Sequence, residues 1–299
     1  MHRAIDLGIN FFDTAPIYGN GNSESFIGNA LVGRRHSVLI STKVGLEKKL
    51  SADGKFGVDV VRLNAKNICA SVESSLRKLR TDYVDLLQLH AFDALGNFDE
   101  TMGAIDHLFK EGKICAVGSS NYAPDELLSA IKKISQNELP VMASCQCHYN
   151  IIERRAETEL IPICREHEIG VICNRALARG VLTGKYQFGK SFPEGSRGTE
   201  SDRVRNTITK DKLELISVLK EFSLVRGRAL PELALAWVLS NPAISTVLIG
   251  ARDIPQLEAS VRAADWDLCA DDVRLMDAVI SKNYSYKSMY INPEKFLEK

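Results

Sequence analysis

The chain has 299 residues, 45% of them hydrophobic, which is enough for a dry core in one large α/β barrel or in two ordinary domains. Lysine plus arginine and aspartate plus glutamate each total 38, so the net charge is zero and a nucleic-acid-binding or membrane-surface function is not expected. No apolar run reaches the ~18 residues of a membrane span, and the first residues do not have the pattern of a signal peptide.

Short apolar runs alternate with longer amphipathic segments, which predicts strands that alternate with helices. The predicted strands are the run that ends at Asp13 and residues 38–42, 83–89, 114–118, 141–146, 170–174 and 246–249. The predicted helices are residues 1–7, 23–32, 64–79, 101–111, 124–135, a segment through 160–164, 213–225 and 230–239. Such alternation is typical of an α/β fold in which helices cover a parallel sheet.

Two α/β folds suit a chain of this length, a (β/α)₈ TIM barrel and a doubly wound open sheet. No Gly-x-Gly-x-x-Gly follows the early strands, which weakens the dinucleotide-binding open sheet. Polar side chains end several different strands, and this arrangement favours the barrel. We therefore expect residues 1–299 to form a single barrel domain.

The first strand of this barrel is apparently missing from the chain. Seven strand-like runs are present, and the chain opens inside a helix that should follow a first strand. Either an upstream segment is absent from the sequence, or the barrel is open. An open barrel would expose an unpaired strand edge, which would favour a homo-oligomer.

The seven cysteines are an odd number without the spacing of a disulfide framework, which predicts reduced thiols in a cytoplasmic protein. The run from Cys145 to His148 resembles a metal site in composition. On a strand, however, Cys145 and Cys147 would point to one face and Gln146 and His148 to the other. One metal ion could not easily collect all four, so we expect no metal site.

Four polar side chains follow or end three successive strands and carry most of the functional information. Asp13 ends the first strand and Tyr18 follows it, Lys43 ends the second, and His90 ends the third. Taken singly, each residue has a common structural explanation: a cap, a loop aromatic, a solvated charge or a satisfied histidine. Together, a carboxylate, a phenol, an ammonium and an imidazole at one sheet edge predict a proton-transfer centre.

The motifs around these residues resemble those of the aldo-keto reductase family. They are Asp13-Thr14-Ala15-Pro16-Ile17-Tyr18-Gly19 with Ser23-Glu24, Ser41-Thr42-Lys43, and the runs 75–90, 112–114, 118–121, 177–186 and 250–252. The resemblance covers roughly residues 2 to 280 and is nearest to bacterial reductases related to potassium-channel β subunits. It implies a (β/α)₈ barrel and NADPH-dependent reduction of a small carbonyl substrate, an aldehyde or a ketone.

The resemblance also implies a role for each of the four side chains. NADPH would supply the hydride and Tyr18 the proton. The ammonium of Lys43 would stabilise the phenolate of Tyr18 and make the phenol a better acid. Asp13 would keep Lys43 charged and in position, and His90 would hydrogen-bond the carbonyl oxygen.

The family places cofactor contacts at three groups of positions. Ser120, Asn121 and Gln146 match the residues that hold the nicotinamide carboxamide, with ordinary strand-end hydrogen bonding as the alternative. The match continues with Leu177, Arg179 and Gly180, which would contact the pyrophosphate region.

The third group lies in the loop that begins at Gly250 and leads into a helix with Pro255 in its first turn. Arg252 is the candidate for the adenosine 2′-phosphate, and the alternative is an exposed surface charge. Gln256 matches the next nucleotide contact.

Two departures from the family pattern concern residues that would bind the cofactor. An aromatic residue that usually stacks on the nicotinamide is replaced by Asn174, followed by Arg175. A Glu-Asn pair near the adenine is replaced by Ala259-Ser260, which should weaken binding by ~1–3 kcal/mol if buried partners lose their hydrogen bonds.

These departures leave two alternatives to a reductase. One is a nucleotide-binding, redox-sensing interaction subunit with little turnover, and the other is an incomplete barrel that no longer holds cofactor. The segment 186–208 would be a loop over the cofactor or a surface excursion. Tyr284, Tyr286 and Tyr290 would pack against the barrel or line a substrate mouth.

Overall fold

The computed structural model describes residues 1–50, 56–136 and 140–283. The predictions on Tyr284, Tyr286 and Tyr290 lie outside the described residues. The described residues form two compact units: Met1–Cys147 with Pro162–Val171, and His148–Ile161 with residues 172–283. Whether these units constitute one domain stays a prediction.

The first unit contains a parallel sheet and an antiparallel hairpin. Its strands are β1 (Phe11–Asp13), β2 (Leu39–Val44), β3 (Leu46–Leu50), β4 (Phe56–Val60), β5 (Leu86–Leu89), β6 (Val117–Ser120) and β7 (Met142–His148). Strands β1, β2, β5, β6 and β7 are parallel neighbours in that order, while β3 and β4 pair in antiparallel fashion. The helices up to residue 166 are α1 (His2–Asp6), α2 (Ser23–Ala30), α3 (Ala65–Leu79), α4 (Phe98–Lys110), α5 (Pro124–Gln136) and α6 (Leu160–Glu166).

The second unit is mainly helical. It contains residues 172–174 of strand β8 (Gly170–Asn174) and the strand β9 (Ile244–Val247), and a 2.8 Å hydrogen bond from Leu248 N to Cys173 O joins the two. Its helices are α7 (Arg197–Glu200), α8 (Asp202–Arg205), α9 (Lys210–Val225), α10 (Leu230–Leu239), α11 (Ile254–Arg262) and α12 (Ala270–Asn283). Every predicted strand and helix has a counterpart, so the α/β class is confirmed.

The hairpin of β3 and β4 was not predicted. Its first strand, Leu46-Glu47-Lys48-Lys49-Leu50, carries three consecutive charges and lacks the apolar alternation that signals a half-buried strand. The segment 186–208 contains the short helices α7 and α8. Helix α4 starts at Phe98, three residues earlier than expected, because Asn97 caps its first amide groups.

The apolar periodicity of α3 correctly identified its buried face. Its side chains at Ile68, Val72, Leu76 and Leu79 are all buried. On the sheet, all four residues of β5 are buried, as expected for a strand covered on both faces. None of the described helices is long and apolar enough to cross a membrane.

Helix α2 approaches α3 closely at Gly28. A methyl group there would lie 2.5 Å from the carbonyl oxygen of Lys78 and 2.6 Å from the carbonyl carbon of Leu79. Backbone atoms cannot move aside as a flexible side chain can. Glycine is therefore required at this contact.

We predict that Gly28→Ala lowers the free energy of unfolding by ~1–3 kcal/mol because it overpacks the contact between α2 and α3. The matched control is Gly103→Ala in α4, where a methyl group would meet no described atom within 4 Å. That change should stabilise the protein by ~0.5–1 kcal/mol, the usual gain of alanine over glycine in a helix. Urea unfolding of both variants tests this, and equal stability of the two would contradict it.

Candidate active site

The four side chains predicted to form a proton-transfer centre come together in the first unit. The ammonium of Lys43 donates to Asp13 Oδ2 at 2.5 Å and to the carbonyl oxygen of Thr14 at 2.8 Å. The hydroxyl of Tyr18 lies 3.5 Å from His90 Nε2, and the two rings meet edge to face. Lys43 Nζ is 5.1 Å from the centre of the Tyr18 ring. One cluster therefore contains an ion pair, a phenol and an imidazole.

The parallel sheet accounts for this convergence. Asp13 is the last residue of β1, Lys43 is near the end of β2, and His90 directly follows β5. The carboxyl ends of parallel strands meet at one edge of a sheet, so residues distant in sequence become neighbours. Tyr18 lies on the loop after β1, which turns through left-handed backbone at Gly19 and Asn20.

Burial acts on both basic groups of the cluster. Lys43 is completely buried, which lowers the pKa of its ammonium from the ordinary value, while the charge and hydrogen bond of Asp13 oppose that change. Burial, assisted by the positive charge of Lys43, lowers the pKa of His90 to about 3. His90 is therefore a neutral imidazole near neutral pH. Tyr18, with 37% of its surface exposed, is the accessible member of the set.

Two side-chain amides that were not assigned to the proton-transfer centre support Asp13. Gln88 Nε2 donates to Asp13 Oδ1 at 2.9 Å and lies 2.7 Å from Ser41 Oγ. Gln146 Nε2 reaches the same carboxylate oxygen at 3.2 Å. The sequence contained one signal for Gln88, since an amide interrupts the apolar run Leu86-Leu87-Gln88-Leu89 on the same face as His90.

The residues predicted to hold the nicotinamide carboxamide also lie together. Asn121 donates from its backbone to the carbonyl oxygen of Gln146 at 3.1 Å, and from its side chain to Ser120 Oγ at 2.9 Å. The same amide nitrogen contacts the carbonyl oxygen of His90 at 3.0 Å. An exposed amide thus borders the proton-transfer centre, next to buried Ser120 and Gln146. Such a set can exchange hydrogen bonds with a primary carboxamide, and therefore fits a nicotinamide.

In the second unit, Asn174 ends β8 and is followed by strained backbone. Arg175, Ala178 and Arg179 have positive φ angles of 57°, 45° and 56°, and Gly180 has one of 94°. Such conformations are costly for residues other than glycine and often mark functional loops. Leu177 accepts a backbone hydrogen bond from Gly180 at 2.8 Å, which closes the turn. The arginine side chain at 175 contacts His148 Nδ1 at 3.1 Å.

The predicted phosphate loop of the second unit leads into α11. Asp253 caps this helix through a 2.8 Å bond from the Gln256 backbone, and Gln256 accepts from the Arg252 backbone at 3.1 Å. The guanidinium of Arg252 is exposed, hydrogen-bonds the carbonyl oxygen of Gly195 and lies 3.8 Å from Glu200. Gly250 starts the loop with open space around its Cα. An exposed cation beside a helix N-terminus fits a phosphate group.

A cavity of about 380 Å³ in the first unit lies beside the loop that carries Tyr18. It is lined by Ile17, Val44, the hairpin residues Leu46 and Lys48, and Ile68 of α3. Successive side chains of a strand point to opposite faces, so Val44 faces the cavity from the side opposite to Lys43. The four side chains of the proton-transfer centre are not among the residues that line it.

All seven cysteines carry free thiols. Over the described residues, no group of three or more histidine, cysteine, aspartate or glutamate side chains could hold a metal ion.

Known proteins share both the sequence and the fold. The sequence matches the profile of the aldo/keto reductase family over residues 1–281. It is 30% identical to the aldo-keto reductase YhdN of Bacillus subtilis (strain 168) over 95% of this chain and 83% of the relative. It is 33% identical to a probable voltage-gated potassium channel subunit beta of Arabidopsis thaliana, over 87% of this chain and 79% of that protein. For an L-glyceraldehyde 3-phosphate reductase of Escherichia coli (strain K12), the identity is 31% over 88% and 77%.

A solved structure of the glycerol dehydrogenase AKR11B4 from Gluconobacter oxydans is similar in three dimensions. Its TM-score is 0.83 at 28% identity, over 98% of this chain and 86% of that chain. The predicted (β/α)₈-type barrel class is thereby confirmed, and so is the predicted relationship to bacterial reductases and channel β subunits. The missing first strand stays a prediction.

We predict that the ring of His90 remains neutral from pH 8 down to pH 5. Its folded pKa lies below the unfolded value, so between about pH 6.5 and pH 3 the unfolded chain binds the extra proton. The free energy of unfolding should therefore decrease as the pH is lowered through that window, by up to ~1.4 kcal/mol per pH unit for this one group. Ring ¹⁵N NMR follows the titration directly.

Urea unfolding of wild type and His90→Gln isolates the contribution of this residue, because the other titrating groups are common to both proteins. The variant should have the shallower dependence on pH. A ring midpoint above pH 5, or identical slopes, would contradict the prediction.

Proposed function

We propose a specific activity for this chain, which belongs to the aldo/keto reductase family: it reduces an aldehyde or ketone to the alcohol with NADPH, and Tyr18 donates the proton. The family and its oxidoreductase relatives support carbonyl reduction at the level of the reaction class. The observation that carries the finer assignment is the buried ion pair of Lys43 and Asp13 beside an accessible phenol and a neutral imidazole.

The proposed chemistry requires a proton at the carbonyl oxygen while a hydride reaches the carbonyl carbon. Bound NADPH supplies the hydride. Tyr18 is the accessible hydroxyl of the cluster and is therefore the donor in this proposal. Negative charge develops on its oxygen during the transfer, and the nearby ammonium of Lys43 stabilises that charge.

His90 orients the substrate in this proposal. Its low pKa makes it a neutral imidazole that donates one hydrogen bond to the carbonyl oxygen and carries no charge of its own. A charged imidazolium would compete with Tyr18 as the acid. Burial of His90, assisted by the charge of Lys43, thus favours Tyr18 as the proton donor.

Each unit has its own proposed cofactor contacts. In the first unit, Ser120, Asn121 and Gln146 would hold the carboxamide, as their shared hydrogen bonds suggest. In the second, the positions are Asn174, Leu177, Arg179, Gly180, Gly250, Arg252 and Gln256. Asn174 offers hydrogen bonds where an aromatic ring usually stacks in the family, so its contact with the nicotinamide would be polar and not a stacking contact.

The sensing alternative is not favoured. A subunit that only binds nucleotide has no need for a buried ammonium held beside an exposed phenol, and a buried charge is costly to maintain. We also propose a cytoplasmic location, which the seven free thiols support.

The first test of the proposal is Tyr18→Phe. Loss of the hydroxyl should lower kcat for an aromatic aldehyde by roughly 10²–10⁴-fold, the usual contribution of a general acid. NADPH consumption measures the rate. The matched control is Tyr83→Phe, which removes a phenol that contacts His36 at 3.3 Å outside the cluster. Equal activity of the two variants would overturn the assignment of Tyr18.

The cofactor assignment is tested by Arg252→Ala. Removal of the guanidinium should weaken NADPH binding by roughly tenfold and leave NADH binding nearly unchanged, since NADH lacks the 2′-phosphate. Fluorescence titration gives both dissociation constants. The control is Arg274→Ala, which removes an exposed arginine paired with Asp271 in α12. Equal weakening of both cofactors would argue against a 2′-phosphate contact.

A further inference from the structure

We propose that Gln88 is a positioning residue for the proton-transfer centre: its side-chain amide holds the carboxylate of Asp13 in place and aimed at Lys43. The inference deepens the proposed function, because it concerns the protonation of the ion pair on which Tyr18 depends. It adds a residue that is neither one of the four reacting side chains nor one of the cofactor contacts.

The sheet places Gln88 directly beside the ion pair. In the parallel register of β2 and β5, Lys43 is the partner of Gln88, and in that of β1 and β2, Asp13 is the partner of Ser41. Register partners on neighbouring strands point to the same face of the sheet. The amide of Gln88 therefore reaches Asp13 Oδ1 and Ser41 Oγ at hydrogen-bond distance, while Asp13 Oδ2 remains for Lys43.

The orientation of the amide follows from the charge on Asp13. If the amide were flipped, its oxygen would face a carboxylate oxygen, and two acceptors would repel each other. The observed orientation leaves Gln88 Oε1 buried without a hydrogen-bond partner among the described residues. An unsatisfied buried acceptor costs free energy, so the amide orientation satisfies the carboxylate at the expense of its own oxygen.

Gln146 is the second donor to the same oxygen, at 3.2 Å. Its bond is longer than the 2.9 Å bond from Gln88, and Gln146 is also a candidate contact of the cofactor. A nicotinamide that engaged Gln146 would compete for that amide. Gln88 would then remain as the side-chain amide on Asp13 Oδ1.

Other titratable groups near the ion pair also contribute to the electrostatic potential at Lys43. Tyr18 approaches from the loop after β1, His90 follows β5, and the buried carboxylate of Glu24 in α2 acts on Lys43 from a greater distance. On β7, Cys145 and Cys147 alternate to the face opposite to Gln146. Gln88 is uncharged, so it acts on Lys43 only through Asp13.

The test is the titration of Lys43 in the cofactor-free protein. Lysine labelled with ¹³C at Cε gives one resonance per residue, and Lys43→Met identifies the relevant one. Gln88→Met removes the donor with little change in volume, so Asp13 should support the ammonium less well. The Lys43 midpoint should move to lower pH by about one unit.

Gln88→Glu separates this effect from simple damage to the sheet. The introduced carboxyl either donates its proton to Asp13 or adds a negative charge near Lys43, and in both cases the midpoint should not fall below that of wild type. Ser144→Ala, which removes a buried hydroxyl from β7, is the matched control and should leave the midpoint unchanged. An unchanged midpoint in Gln88→Met, or an equal fall in Gln88→Glu, would overturn the proposal.

The same variants give a second readout if the wild type reduces carbonyls. The proposed reaction requires the ammonium of Lys43, so the loss of kcat at high pH should begin at a lower pH in Gln88→Met, with KM for NADPH unchanged. Absence of turnover in the wild type would contradict the proposed function. The NMR titration requires neither cofactor nor substrate, so it decides the role of Gln88 independently.

Discussion

The buried ammonium of Lys43 is the constraint on which the rest of the site depends. An ammonium taken out of water must be paired and hydrogen-bonded, and here Asp13 and the carbonyl oxygen of Thr14 provide both. Removal of one partner of a buried ion pair typically destabilises a protein by ~3–5 kcal/mol, because the other charge remains uncompensated. Burial, assisted by this charge, lowers the pKa of His90 to about 3, which makes that ring neutral. Burial and the ion pair thus act together on the protonation of Lys43 and His90.

The strands and a loop of the site have different roles. Asp13 and Lys43 are held by the strands and His90 directly follows one, so their spacing is set by the backbone ladder of a buried parallel sheet. Tyr18 lies on a loop and is exposed, which leaves its hydroxyl accessible to a substrate. A rigidly held ammonium near an accessible phenol provides positive charge where negative charge develops, which is what electrostatic preorganisation requires.

The sequence was most informative where the apolar periodicity defined an element and polar side chains marked its end. The apolar spacing of α3 identified its buried face, and polar side chains at the strand ends identified the edge where Asp13, Lys43 and His90 meet. Prediction failed at the hairpin of β3 and β4, where three successive charges conceal the alternation of a strand. The roles of the cofactor residues remain predictions, because they depend on how a bound nucleotide would meet side chains that are distant in sequence.

By itself, the sequence determined the α/β class, the order of the parallel strands along the chain and the membership of the family, since these depend on local periodicity and on motifs of adjacent residues. Only the tertiary structure decided which amides hold Asp13, how completely Lys43 is buried and which protonation state His90 adopts. These properties arise from strand register and from exclusion of water by residues remote in sequence. No short segment of the chain contains that information, because burial and charge act through space.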